Sequence, residues 1–409
     1  MDRRTSRLAA AGLLALAVVL AAPAAAQQPP QPFAPQWAML AGWDLFGAKG
    51  CGKCHSIRGT GASVGPDLAR TASGTSFFDL GAAMWSHLPR MGARMRELGV
   101  DRATFTPAEL ANLVAFLFTA QYFDPLGDAK TGERLFTAKG CVQCHAVGGT
   151  GGHVGPELDR LKRANSPVLV AAAMWNHWPQ MAEAMRTKGI TRPTFEGREM
   201  VDLIAFIVSA GRDAGGETEQ VVPGTPERGR QLFADKKCVV CHAVGGQGGR
   251  VGPELGRPSH HVSLTQFVSR LWNHGPAMAA RMKERAIEIP KLSGQDMADL
   301  LAFFYVSHYF EATGSPRRGG ELVQAKGCLT CHSVRGKGGK VAADFATSTV
   351  VRSPASLVAG MWNHSRLMEG QAEKQQVPWP VLNGQELADI SAYFVSLSKP
   401  AAPKPAPKK

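Results

Sequence analysis

Beyond its first two dozen residues, the 409-residue chain has no apolar run approaching the roughly 20 residues that a membrane-spanning helix needs. No transmembrane segment is therefore expected there. It also has no stretch in which apolar and polar residues alternate, which leaves nothing from which to build a sheet. Although the formal charge is +13, no basic stripe is interleaved with aromatics, so a nucleic-acid partner is not expected. Cysteine is absent outside one repeated pattern, and none is left over for a disulfide framework.

That pattern is Cys-x-x-Cys-His, and its four copies use all eight cysteines: Cys51, Cys54 and His55; Cys141, Cys144 and His145; Cys238, Cys241 and His242; Cys328, Cys331 and His332. The spacing is the attachment signature of c-type haem, in which each thiol adds to one vinyl group of the same porphyrin. The adjacent histidine then ligates the iron from the proximal side. A zinc ribbon would need two such pairs about 15 to 20 residues apart, whereas these histidines recur at intervals of 90, 97 and 90 residues. A thioredoxin-type site does not require the histidine at all. With 12 histidines in the chain, four at these positions by chance has odds on the order of one in a million. Four haem c groups are the implied cofactors.

Residues 1–26 read as an export signal: Arg3, Arg4 and Arg7 precede the apolar run from Leu8 to Ala22, and Ala24, Ala25 and Ala26 provide a cleavage site before Gln27. Thr5-Ser6-Arg7 is a poor continuation of a twin-arginine signal, so the general export route is favoured. The mature chain is expected to be soluble and periplasmic. Asp2 against Arg3, Arg4 and Arg7 gives the leader a charge of +2, so its removal leaves +11. Eight haem propionates would bring that to about +3, an excess matched by the lysines of the Pro/Ala/Lys tail, residues 399–409, which reads as disordered.

The 90-residue spacing marks a repeat. Each unit has an opening helix before the first cysteine and a glycine-rich loop, which closes on Val64-Gly65-Pro66-Asp67, Val154-Gly155-Pro156-Glu157 and Val251-Gly252-Pro253-Glu254 in the first three. A helix then carries Met84-Trp85-Ser86-His87, Met174-Trp175-Asn176-His177, Leu271-Trp272-Asn273-His274 and Met361-Trp362-Asn363-His364. A closing amphipathic helix opens on Thr106-Pro107-Ala108-Glu109, Ser293-Gly294-Gln295-Asp296 or Asn383-Gly384-Gln385-Glu386, each with a capping residue three places before an acid. In the second unit Glu196-Gly197-Arg198-Glu199 is a poorer cap.

Each unit so composed resembles a class I cytochrome c domain, and the whole resembles a periplasmic tetrahaem c-type cytochrome of four such domains. The resemblance implies an all-α fold with domains at 36–125, 126–213, 224–312 and 315–398, the last divergent. It further implies that Pro66, Pro156 and Pro253 offer their carbonyls to the proximal histidines. Linkers are expected near residues 124–127, 214–226 and 312–316.

For the far side of the iron the resemblance points to methionine. Met91, Met181, Met278 and Met368 lie four residues after the Trp-x-His histidine in every unit and are the preferred ligands. Met95, Met185 and Met282, eight after it, share that helical face, as do His87, His177, His274 and His364; both sets remain alternatives. The tryptophans are expected to pack against haem. His153, His260, His261 and His308 have no counterparts and read as loop or surface residues. In the fourth unit Ala342-Ala343 replaces Gly-Pro, Arg366 replaces a proline and Ala372 stands where a second methionine would be.

The expected function is electron transfer, with four haems strung along a soluble rod and relaying electrons between periplasmic or membrane redox partners. Methionine ligation and burial imply fairly high potentials. The alternatives are a haem oxidoreductase with a small-molecule site at an open fourth haem, or a cytochrome subunit of a larger dehydrogenase or oxidase complex. No acid/base cluster accompanies the fourth haem, so a carrier is favoured over an enzyme.

Overall fold

The computed structural model describes residues 35–71, 76–122, 124, 126–160, 166–211, 224–256, 263–309 and 313–397. The export signal, His260, His261, most of the second linker and the basic tail lie outside these residues.

Each unit is built from an opening helix, a long helix and a closing helix. The opening helices are Pro35–Ala48, Ala129–Ala138, Pro226–Asp235 and Pro316–Ala325, and the closing helices are Pro107–Ala120, Glu199–Ser209, Gly294–Tyr309 and Gly384–Leu397. The opening and closing helices of one unit cross closely, and the crossing depends on glycine. A Cβ on Gly132 would stand 2.0 Å from the Asp202 carbonyl oxygen, and Gly229 and Gly319 meet the Asp299 and Asp389 carbonyls at the same distance. Phe206, Phe303 and Tyr393 fill the space beside those glycines. Extended structure among the described residues is confined to four two-residue ladders, such as Ser56–Ile57 with Thr60–Gly61, and two single bridges, Ala243 with Glu254 and Ser333 with Asp344, so the fold is all-α.

Helix ends follow the sequence. Thr106 and Glu109 form a reciprocal capping box, Thr106 Oγ1 accepting from Glu109 N at 3.2 Å and Glu109 Oε2 from Thr106 N at 2.8 Å, an arrangement worth about 1 kcal/mol. The second unit lacks such a cap, and its closing helix starts only at Glu199.

The long helices, Phe77–Glu97, Pro167–Thr187, Leu264–Glu284 and Pro354–Lys374, are 21 residues each. Three contain a proline in mid-helix, at Pro89, Pro179 and Pro276. A helical proline cannot donate to the carbonyl four residues back, so these free the carbonyls of Trp85, Trp175 and Trp272. Two of the freed oxygens find partners in another unit. Trp379 Nε1 donates to the Trp85 oxygen at 3.2 Å, and the Arg192 guanidinium donates to the Trp272 oxygen.

Those contacts belong to a reciprocal clasp. In the outer pair, units one and four, Trp85 Nε1 donates to Pro380 O and Trp362 Nε1 to Ala103 O, both at 2.7 Å. In the inner pair, units two and three, Trp175 Nε1 donates to Pro290 O at 2.7 Å and Trp272 Nε1 to Pro193 O at 2.8 Å. The next residue adds a two-way bridge: the Asn176 amide bonds Leu292 N and O, Asn273 bonds Phe195, Asn363 bonds Phe105, and the Ser86 hydroxyl bonds Leu382. Such exchange of identical contacts is the mark of an isologous, twofold-like interface. All four tryptophans are buried in it, a role the sequence did not show beside the haem packing expected of them. Within the inner pair the cores fuse, Trp175 and Phe195 clustering with Trp272, Leu292 and Leu300.

The two pairs meet where unit one touches unit three. Tyr122 stacks on Tyr305 with centroids 4.0 Å apart and planes within 7°, Tyr309 packs edge-on to Phe77 and Phe118, and Asp124 accepts from Thr265 N and Oγ1 at 2.9 and 2.7 Å. The units therefore touch in the order four, one, three, two, not as a string in sequence order. The first linker is accordingly docked through Asp124.

Candidate haem-attachment site

In every unit the first cysteine and the two residues after it form one 3-10 turn, Cys51–Lys53, Cys141–Gln143, Cys238–Val240 and Cys328–Thr330. The residue before the turn is left-handed: Gly50, Gly140 and Gly327 at φ 76–78°, and Lys237 at 59°. The backbone N–H of the proximal histidine closes the turn on the first cysteine's carbonyl, at 2.9 Å for His55. All eight cysteines are half-buried and free of disulfides. Burial pushes the thiols of Cys51, Cys141, Cys238 and Cys328 up to about 11. No cluster of potential metal ligands occurs among the described residues.

The proximal histidines are oriented alike. Nδ1 of His55, His145 and His242 lies 3.0 Å from the carbonyl oxygen of Pro66, Pro156 and Pro253. His332 has the same contact to Ala343 O at 2.9 Å. Sequence reasoning tied this support to proline and missed Ala343, but the group that acts is a backbone carbonyl, which any residue supplies. With Nδ1 engaged as donor, Nε2 is left as the basic nitrogen, the form in which a histidine binds a metal.

The loop glycine is required by that ring. A Cβ on Gly65 would stand 2.5 Å from His55 Cε1, and on Gly155 or Gly252 2.3 Å from the corresponding carbon. The fourth unit carries Ala342 there, and its histidine instead stacks on Phe345, centroids 4.4 Å apart and planes 20° from parallel. Just before the glycine or alanine, Val64, Val154, Val251 and Val341 are all exposed. The same apolar side chain thus stands open beside the histidine loop in every unit. The paired thiols, the presented Nε2 and this apolar rim fit a covalently held haem, and no residue here opposes one.

The long helix carries all the distal candidates and does not select among them. Met91, Met181, Met278 and Met368 are half-buried, as are Met95, Met185 and Met282, with Ala372 in the last place. His87, His177, His274 and His364 are exposed. Nδ1 of the last three is engaged by its own helix, at Ala173 O, Arg270 O and Gly360 O. His87 is held below the usual imidazole range by desolvation first and then by the charges of His55 and Arg90. His153 is an exposed loop residue.

No helix among the described residues is long and apolar enough to cross a membrane. No curated protein and no solved structure matches the chain. The model of the Cytochrome c family does, four times, over residues 39–121, 129–211, 226–304 and 316–398. These spans take in each cysteine pair with the helices around it, and domains of this kind bind haem c and transfer electrons. The chain therefore belongs to the cytochrome c family, as a multihaem electron-transfer protein of four tandem domains.

Proposed function

We propose that the chain is a periplasmic relay that attaches one haem through each of its four cysteine pairs and passes electrons between two redox partners. The observation that carries this reading is the fourfold recurrence of a histidine whose Nδ1 is fixed by a backbone carbonyl beside two free, half-buried thiols. When bound, haem c supplies a one-electron carrier in each unit.

The residues then have separable roles. Cys51, Cys54 and their counterparts anchor, His55, His145, His242 and His332 ligate, and the carbonyls of Pro66, Pro156, Pro253 and Ala343 orient. For the distal side we favour Met91, Met181, Met278 and Met368, because this register alone places a half-buried methionine in all four units. Thioether ligation and apolar burial both disfavour the more charged ferric state, so fairly high potentials follow. The packing order four, one, three, two makes the contacts between units one and four, one and three, and two and three the routes for transfer.

A pyridine haemochrome assay on the purified protein should return four haems c per chain. A redox titration should give midpoints in the range of methionine-ligated cytochromes. Carbon monoxide should leave the reduced spectrum unchanged in the wild type and alter it in Met368→Ala. Four low midpoints, or a wild-type spectrum that responds to carbon monoxide, would overturn the methionine assignment; fewer than four haems would overturn the relay.

A further inference from the structure

The loop that holds the proximal histidine comes in two forms, and they sort by pair. Units one and four have Ser56, Arg58 and Asp67, or Ser333, Arg335 and Asp344; units two and three have Ala146, Gly148 and Glu157, or Ala243, Gly245 and Glu254. In the first form the aspartate directly follows the residue whose carbonyl meets the proximal histidine. Its carboxylate is saturated with donors. Asp344 Oδ2 accepts from Ser333 Oγ at 3.0 Å and Gly336 N at 2.7 Å, while Oδ1 accepts from Arg335 N at 3.0 Å and Ala346 N at 2.8 Å. Asp67 takes the equivalent bonds from Ser56 Oγ, Gly59 N and Ala69 N at 3.2, 2.8 and 3.0 Å. In the second form the longer glutamate makes at most one of these bonds. Glu254 accepts from Gly246 N alone, at 3.2 Å, and Glu157 pairs with Arg160 at 2.5 Å.

We infer that Asp67 and Asp344 are positioning residues that lock the carbonyl orienting the proximal histidine, and that they set the haems of units one and four apart from those of units two and three as a distinct redox class. This rests on the proposed attachment of haem in every unit. Both physical effects have the same sign. The Nδ1–H···O contact is 2.9–3.0 Å in both forms, so the lock acts on its persistence: a carbonyl that cannot swing away keeps the bond made, which raises the basicity of the ligand nitrogen, and a carboxylate fixed beside the site favours the more positive ferric state. The outer haems should therefore have lower potentials than the inner ones.

Spectroelectrochemical titration of the holoprotein should resolve two components of two haems each. In Asp67→Asn or Asp344→Asn one amide group must face a backbone donor, so the latch opens and the charge is lost. One of the four midpoints should move upward in each variant, and two in the double variant. Asp67→Glu and Asp344→Glu keep the charge and copy loops that fold in units two and three. They should move the same midpoints upward by less, towards those of the inner pair. A Glu157→Gln control should leave the outer midpoints in place. Midpoints unmoved by all four aspartate variants, with four haems still attached, would overturn the latch, as would an equal shift of all four. A wild-type haem count below four would overturn the functional reading beneath it, a result the haemochrome assay reports separately from the midpoints.

Discussion

The outer and inner pairs share a clasp but differ in what surrounds it. Both exchange indole and amide hydrogen bonds across a twofold-like seam. Beside that seam the outer pair buries an ion pair, Arg102 to Glu369 at 3.1 Å with side chains 5% and 21% exposed, and stacks Trp379 on Trp85 at 4.2 Å. The inner pair instead lays Arg192 over the Trp272 ring, 4.3 Å from its centroid. Gly92 makes the outer arrangement possible, since a Cβ there would stand 2.3 Å from Arg102 Nη2. The difference shows that a unit's surroundings follow its partner rather than its place in the chain. Unit four, the odd one by its missing glycine, proline and methionine, matches unit one in the loop that supports the histidine.

Removing a clasp tryptophan should break the comparison most severely. Trp85→Ala or Trp175→Ala deletes a buried indole and leaves a partner carbonyl without its donor, a loss of about 3–5 kcal/mol. Denaturant unfolding followed by hydrogen exchange should show that loss in the mutated pair alone. Equal loss of protection in all four units would mean that the pair is not the cooperative element.

The arginines should separate the pairs more finely. Arg102→Ala strands a largely desolvated Glu369 and should cost about 2 kcal/mol, less than for a fully buried pair because Glu369 still reaches water. Arg192→Ala loses a cation–π contact and a bond to the Trp272 carbonyl, about 1 kcal/mol. Equal costs in equilibrium unfolding would remove the distinction. Gly65→Ala should then destabilise unit one by about 1–3 kcal/mol through its clash with the His55 ring. Ala342→Gly should cost unit four only about 0.5–1 kcal/mol, through added freedom of the unfolded chain.

Much of this was legible before any coordinates. Cysteine spacing, caps and apolar periodicity are local, and they marked the four units, their helices and the weak start at Glu199. Pairing was not legible, because it depends on which of four similar surfaces meet. One signal was present without a reading: the mid-helix prolines release carbonyls, two of which Trp379 and Arg192 then use. The support from Ala343 escaped because a backbone carbonyl leaves no residue-specific trace. The distal ligand was not legible for a related reason: histidine and both methionine registers share one helical face, so spacing treats them alike.

Acid should sharpen the comparison with the smallest perturbation. Asp344 is held at about 2, against 3.8 for an ordinary aspartate, chiefly by the Gly336 N–H with Ala346 N–H, Ser333 and Arg335 N–H adding to it. Asp67 is lowered by the equivalent donors, against an opposing desolvation that is the largest single influence on it. A group whose folded value lies below its unfolded value stabilises the fold while ionised in both states and loses that contribution as pH falls through the window between them. The contribution of Asp344 is therefore complete above about pH 4 and gone below about pH 2. Amide exchange at Gly336 should accelerate over that window, with Gly59 following through Asp67. In Asp344→Asn the acceleration at Gly336 should be absent, because no proton remains to be taken up. An unchanged profile in that variant would show that the loop is opened by some other acid, and the two loop forms would then differ in sequence without differing in their response to protons.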